Sequence, residues 1–208
     1  MYKKYIKRIL DVIISFSGLV VLLPFMILIA LAIKIDSKGE VIFKQKRLGA
    51  NKKEFIVYKF RTMITDAYQI GGANSYDGDP RITKVGTFLR KTSLDETPQL
   101  LNILKGEMSI IGPRPILKEE FEPYKSNSIY EKRYNVRPGL FCTVDVDYRA
   151  NAPRELQLEM DAEYIENLSF MLDIRVFLKT FITVIKLKNV YKKVEEGSAE
   201  GSKQTISS

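Results

Sequence analysis

Residues 12–33, VIISFSGLVVLLPFMILIALAI, carry no charged side chain over 22 positions, and this run limits what the rest of the chain can become. At about 1.5 Å per helical residue it reaches roughly 30 Å, the thickness of a bilayer's hydrocarbon core. It is too long for the apolar part of a signal peptide, and charged Lys34 and Asp36 follow it where a small-residue cleavage site would stand. The segment is therefore expected to stay attached. Lys3, Lys4, Lys7 and Arg8 precede the run, and Lys34, Lys38, Lys44, Lys46 and Arg47 follow it, so the positive-inside rule places both ends in the cytoplasm. Pro24 removes a backbone donor at the middle and crowds the preceding turn, which fits a helix that enters and returns. Ser15, Ser17 and Gly18 are suited to satisfy groups freed near such a bend, although a Pro-kinked spanning helix satisfies the same pattern. Arg8 and Asp11 lie three apart and are expected to pair on one helix face.

A chain of 208 residues has room for one domain beyond such an element. The expected division is a re-entrant membrane segment over 1–38, a catalytic domain on the cytoplasmic face over 39–194, and a disordered tail over 195–208. The net charge of +8 comes wholly from residues 1–60, which hold 12 Lys/Arg against 4 Asp/Glu. A basic portion beside an apolar run points to an anionic membrane surface and not to nucleic acid. With no histidine and only Cys142, the chain excludes a Ser-His-Asp triad, a Cys-His pair, a zinc finger and a disulfide framework. Any metal should be a hard cation held by oxygens.

Along the chain, β-branched and aromatic residues at 40–46 and 54–60 predict a hairpin, with Lys59 and Arg61 on one strand face as anion contacts. Residues 66–80 are polar and glycine-rich and read as a loop. Residues 118–133 read as a solvated helical face, 141–148 (FCTVDVDY) as a short strand with Asp145 and Asp147 on one side, and 155–167 as helix. Apolar and basic residues interleave over 173–193, the pattern of an interfacial amphipathic helix and equally of a core-facing one. The fold class is α+β, mainly helical with a small β-hairpin.

The densest chemistry lies at 79–115, DPRITKVGTFLRKTSLDETPQLLNILKGEMSIIGPRP. Asp95 and Glu96 are flanked by Arg81, Arg90 and Arg114, and Arg114 sits between two prolines that stiffen its backbone. Ser93 and Glu96 match a capping box, and Thr97 followed by Pro98 matches a cap with proline at the first helical position. Both readings put the acids at a helix amino terminus, where they either cap the helix or handle phosphate.

These motifs, KFRTM, DPRIT, GTFLRKTSLDETPQLLNILKGEMS and IGPRP in that order, resemble the bacterial sugar transferases that are monotopic phosphoglycosyl transferases. The resemblance covers nearly the whole chain, from KRILD at 7–11 to FLKTF at 177–181. It implies a re-entrant helix bent at Pro24 and a reaction that moves a sugar 1-phosphate from a UDP-sugar to a polyprenol phosphate such as undecaprenyl phosphate, with release of UMP and a need for Mg2+. Asp95 is implied as the nucleophile and Glu96 as a magnesium ligand or acid-base helper, with Lys59, Arg61, Arg81, Arg90, Arg114, Arg137 and Arg149 as phosphate or substrate contacts. The implied location is the cytoplasmic face of the bacterial cell membrane, and a homodimer is compatible with the family. After RPG the family usually reads ITGWAQVNGR, whereas this chain has LFCTVDVDYR, so Asp145 and Asp147 stand where neutral residues are usual and bear on donor or magnesium contacts. Thr97 replaces a usual leucine. A binding protein of the same fold that retains the phosphate pocket without turnover is the competing expectation.

Overall fold

The computed structural model describes residues 1–72, 75, 76, 78–148 and 152–185. The tail at 195–208 and the end of the 173–193 segment lie outside the described residues. After a π-helical turn at Tyr2–Ile6, the apolar run lies within α1 (Lys7–Asp36). The element continues through Pro24 without dividing into two helices. Ser15 returns its hydroxyl to the Asp11 carbonyl at 2.6 Å, so the polar group inside the apolar run is satisfied within the helix.

The chain then forms the hairpin of β1 (Ile42–Leu48) and β2 (Glu54–Phe60), antiparallel with Ile42 opposite Phe60 and Leu48 opposite Glu54. Short α2 (Ala67–Gly71), α3 (Lys84–Thr92) and α4 (Gln99–Lys105) lead to β3 (Ser109–Ile111). Next come α5 (Lys118–Phe121), α6 (Ser128–Glu131), β4 (Gly139–Phe141), α7 (Thr143–Asp147), α8 (Arg154–Glu166) and α9 (Phe170–Ile185). β3 and β4 pair in parallel, Ser109 with Gly139 and Ile111 with Phe141. Gly112 and Gly139 face each other at this crossing: a Cβ on Gly139 would stand 2.1 Å from the Gly112 nitrogen. No side chain fits there, which accounts for the glycines of IGPRP and RPG.

Several expectations change: residues 67–71, read as loop, form α2. Residues 141–148 are not a strand: pairing stops at Phe141, and the chain turns into α7. Residues 118–133 are helical in short pieces, but their face is not wholly solvated, because Arg133 is buried against Asp161 at 3.2 Å and donates to the Arg114 carbonyl.

The main core gathers Phe55 and Val57 of β2, Leu100 and Ile103 of α4, Met108, Ile110 and Ile111 around β3, and Tyr164, Leu168 and Val176 from the last two helices. Buried Asn102 fastens α4 to β2 by accepting from the Tyr58 N–H at 3.1 Å and donating to the Ile56 carbonyl at 2.6 Å. One stripe of α1 packs on this body along its length. Leu19 and Leu22 meet the main core, Met26, Ile29 and Ala30 meet Phe60 and Leu89, and buried Ile33 completes the row.

Polar contacts fix both ends of α1. Arg8 donates to the Ile103 and Leu104 carbonyls at 2.6 and 2.9 Å, and Asp11 accepts from Ser109 Oγ and the Ile110 N–H at 3.0 and 2.8 Å. The pair expected between Arg8 and Asp11 is thus replaced by contacts from each to the domain, whose backbone groups need the partners more. At the far end Asp36 accepts from the Val85 N–H at 3.0 Å. Asp173 receives Lys7 at 2.5 Å, Tyr164 at 2.6 Å and the Tyr2 hydroxyl, tying α9 to the chain's start.

Away from the stripe, α1 exposes Phe16, Val20, Val21, Leu23, Phe25 and Leu28, and α9 exposes Met171, Phe177, Leu178 and Ile182. α1 with its preceding turn is long and apolar enough to cross a membrane, yet only 6% of its apolar window is buried. That outer surface fits membrane association and disfavours plain water. Replacing Asp11 by Ala leaves the Ile110 N–H and Ser109 hydroxyl buried without their acceptor, so stability in detergent should fall by about 2 kcal/mol. Thermal unfolding of Asp11→Ala beside a Lys4→Ala control measures it.

Candidate active site

The two acids owe their position to how α3 ends. Thr83 caps its start by accepting from the Gly86 N–H at 2.9 Å, and Ser93 ends it by adopting a left-handed conformation with φ 58°. Leu94–Glu96 then form a single 3-10 turn before Pro98 opens α4. Ser93 is therefore spent as a carboxyl-terminal cap, and the Thr97 hydroxyl donates to the Leu94 carbonyl at 2.8 Å. Neither expected amino-terminal cap forms. Asp95 and Glu96 project from a tight turn between two helices, and helix capping does not consume them.

They face a cavity of about 680 Å³ that Lys59, Arg61, Arg90 and Arg114 also line. A second compartment of about 300 Å³ adjoins it and shares Arg47, Lys59, Glu96 and Arg114. Lys59 reaches Glu96 Oε1 at 2.6 Å. Arg90 donates to Thr62 Oγ1 at 2.9 Å and Ser75 Oγ at 2.7 Å, which fixes its guanidinium against the wall. Burial lifts the Asp95 carboxyl from its ordinary value to about 6; Lys59 and Arg90 pull it down, while neighbouring Glu96 pushes it up. A carboxylate so held is ionised at neutral pH and remains less solvated than a surface acid.

The predicted residues divide. Lys59, Arg90, Asp95, Glu96 and Arg114 come together in the cavity. Arg61 lines it too, but strand β2 ends before it, so the expected shared face with Lys59 is lost. Its guanidinium closes the end of α1, donating to the Ser37 carbonyl at 2.7 Å and the Lys38 carbonyl at 2.5 Å. Arg81 is buried and holds Asp79 at 2.6 Å while donating to the Ala67 carbonyl at 2.8 Å, so it organises the 66–80 loop and does not line the cavity. Those bonds keep the Asp79 carboxyl below the usual carboxylate range. Arg137 is exposed and donates to the Gly106 carbonyl at 2.7 Å, a contact to the end of α4. Arg149 lies outside the described residues. Pro24, Arg8 and Asp11 belong to the apolar helix α1 and its docking.

Sequence reasoning missed Arg47 and Arg154. Arg47 projects from β1 into both compartments, where burial lowers it to about 10, against the pull of Glu120. It remains a cation at neutral pH. Arg154 holds the other oxygen of Glu120 at 2.7 Å. Alternation along β1 was the available signal for Arg47; nothing local marked Arg154.

Among the described residues, no group of three or more His, Cys, Asp or Glu is arranged to hold a metal. Asp95 and Glu96 provide two hard carboxylates, a donor set that fits Mg2+, because that ion keeps waters and takes substrate phosphate oxygens to complete its shell.

An acidic pair ringed by cations lies on an α+β body laid along an apolar helix, an arrangement that fits phosphate handling beside a membrane. The chain belongs to the bacterial sugar transferase family, whose model matches residues 2–187. It is 40% identical over 195 residues to the exopolysaccharide production protein PSS of Rhizobium leguminosarum bv. phaseoli, covering 86% of this chain and 94% of that one. Over 189 residues it is 38% identical to the UDP-glucose:undecaprenyl-phosphate glucose-1-phosphate transferase of Escherichia coli (strain K12), covering 88% of this chain and 40% of that protein. The UDP-N-acetylgalactosamine-undecaprenyl-phosphate N-acetylgalactosaminephosphotransferase of Aeromonas hydrophila is 37% identical over 185 residues, covering 87% and 44%. The chain thus matches nearly all of the first relative and less than half of the other two.

Because Asp95 is raised, the folded state binds its proton more tightly than the unfolded chain does. Its contribution to stability is complete at low pH and is lost as pH rises through about 6. Asp95→Asn removes the cost of the buried charge, so it should stabilise the protein by roughly 1–3 kcal/mol at pH 8 and by progressively less toward pH 5. Melting temperatures of the two proteins across that range check the sign.

Proposed function

We propose that this chain is a membrane-bound phosphoglycosyl transferase that moves a sugar 1-phosphate from a UDP-sugar to a polyprenol phosphate, in the initiation of glycoconjugate synthesis. The reading rests on one observation above the rest: Asp95 and Glu96 share a single turn, with Lys59, Arg90 and Arg114 around the same cavity. The relatives named as undecaprenyl-phosphate sugar phosphotransferases support both substrate classes. Positive charge at both ends of α1 supports a cytoplasmic-face location.

In the first step an Asp95 carboxylate oxygen attacks the sugar-linked phosphorus of the donor. A new P–O bond forms to Asp95, the bond to the bridging oxygen breaks, and UMP leaves with that electron pair. In the second step a phosphate oxygen of the polyprenol phosphate attacks the same phosphorus, the bond to Asp95 breaks, and the carboxylate is restored. Lys59, Arg90 and Arg114 offset the charge that two phosphates bring toward an anionic nucleophile. Lys59 also holds Glu96 beside Asp95, ready for metal binding or proton handling. Asp95 and Glu96 would supply oxygen ligands for Mg2+, and the bound ion would offset phosphate charge.

Detergent-solubilised protein incubated with Mg2+ and UDP-sugars labelled in the sugar phosphate should release UMP and carry the label. Asp95→Asn should abolish the adduct, and Glu96→Gln should slow it by about a hundredfold or more. The adduct rate in free enzyme should rise with pH through about 6, as Asp95 ionises. No UMP release across a broad donor panel would sink the reading, and an adduct surviving in Asp95→Asn would remove Asp95 as nucleophile.

A further inference from the structure

We infer that Arg47 is a further substrate-binding residue, whose guanidinium holds the sugar-linked phosphate of the donor at the seam between the two compartments. The inference rests on the transferase reading above for the identity of that phosphate. Alternation along β1 places Phe43, Gln45 and Arg47 on one face. Cross-strand register puts Lys59 of β2 on that same face, opposite Phe43, and Lys59 is the cation that reaches Glu96. Arg47 lines both compartments, and its side chain keeps 21% of its surface accessible.

The guanidinium is aimed by groups that do not neutralise it. Nε and Nη2 both donate to Gln45 Oε1, at 3.1 and 2.7 Å, and Nη1 donates to the Pro115 carbonyl at 3.2 Å. An amide and a carbonyl fix its direction and leave the positive charge in place. The carboxylate paired with it, Glu120, stands off at 3.5 Å, while Arg154 at 2.7 Å and the Leu117 N–H at 2.9 Å meet the charge of Glu120 more closely. Arg81 shows the contrast, because its partner Asp79 sits at 2.6 Å. Arg47 is thus fixed in direction and only loosely compensated, the state that suits an arginine waiting for phosphate.

The surrounding charge points the same way. Around the smaller compartment Arg47, Lys59, Arg114 and Arg154 face two carboxylates, Glu96 and Glu120, an excess of two positive charges among the described residues. Like charges gathered in a partly desolvated space repel until an anion joins them. Burial is the largest influence lowering Arg47, and Glu120, Arg114, Arg154 and Glu96 act on it in turn, so Arg114 and Glu96 both lie within reach of its charge. Glu96 adjoins Asp95 in sequence and lines both compartments. The phosphorus beside Asp95 is the sugar-linked one, so the phosphate that meets Arg47 is not the one that UMP carries away.

The test is equilibrium binding of UDP and UMP, with Mg2+, to the full-length, detergent-solubilised protein and to its Arg47→Gln and Arg47→Lys forms. The terminal phosphate of UDP stands for the sugar-linked phosphate, and UMP lacks it. Arg47→Gln should weaken UDP roughly tenfold or more and UMP by no more than about twofold. Arg47→Lys keeps the charge without the planar fork, so its UDP affinity should fall between the two while UMP holds, and this split carries the test should the glutamine protein fail to fold. A residue that only braced the Pro115 turn would weaken both nucleotides together and lower the melting temperature. Equal weakening of UDP and UMP, unaltered UDP affinity in Arg47→Gln, or no UDP binding by the unsubstituted protein would overturn the inference. The labelled-adduct experiment stays independent: a split between UDP and UMP without an adduct removes only the transferase, and an adduct with unaltered UDP affinity in Arg47→Gln removes only the role of Arg47.

Discussion

Everything at the site depends on α1 lying along the domain instead of leaving it. A 30-residue helix is about 45 Å long, and this one is fastened to the same body at both ends. Arg8 and Asp11 bind α4 and β3 near its start, and Arg61 closes its carboxyl end through the Ser37 and Lys38 carbonyls. Gly39 makes that closure possible, because its φ of +118° suits glycine and a Cβ there would stand 2.2 Å from the Arg61 guanidinium. A helix tied down this way presents its remaining face outward as an apolar surface that fits membrane association, with the cavity on the same body. The coupling continues inward: Asp36 binds the Val85 N–H at the start of α3, and the other end of α3 carries Arg90 and the Ser93 cap that displays Asp95.

Within the cavity the balance of charge decides what the carboxylates can do. Glu96 has its own cation at 2.6 Å, while burial dominates at Asp95 and raises it to about 6. The first acid is neutralised and held; the second stays ionised in a poorly solvated place among cations that phosphate would engage. That division of labour between adjacent residues suits the proposed nucleophile with a helper, and the ionised Asp95 is a stability cost that the fold carries.

Much of this was legible in the sequence because it rests on local signals. The uncharged run gave the helix, and β-branched and aromatic residues gave the hairpin. What the sequence did not show were the contacts that the folded chain makes. Arg61 and Arg81 share the composition of phosphate contacts, yet carbonyls and Asp79 claim them, because buried backbone acceptors at the end of α1 and in the 66–80 loop had to be met. Ser93 looked like an amino-terminal cap, and its left-handed backbone made it the end of the preceding helix.

The placement of α1 is tested most directly by asking which side of the membrane its two ends reach. Single cysteines at Lys4 and Lys38, in a chain whose buried Cys142 is replaced by Ala, can be labelled with a membrane-impermeant thiol reagent in sealed vesicles of either orientation. Both positions should react in inside-out vesicles and be protected in right-side-out ones. Reaction of the two positions from opposite sides would contradict a helix docked along one body and would make it a spanning anchor.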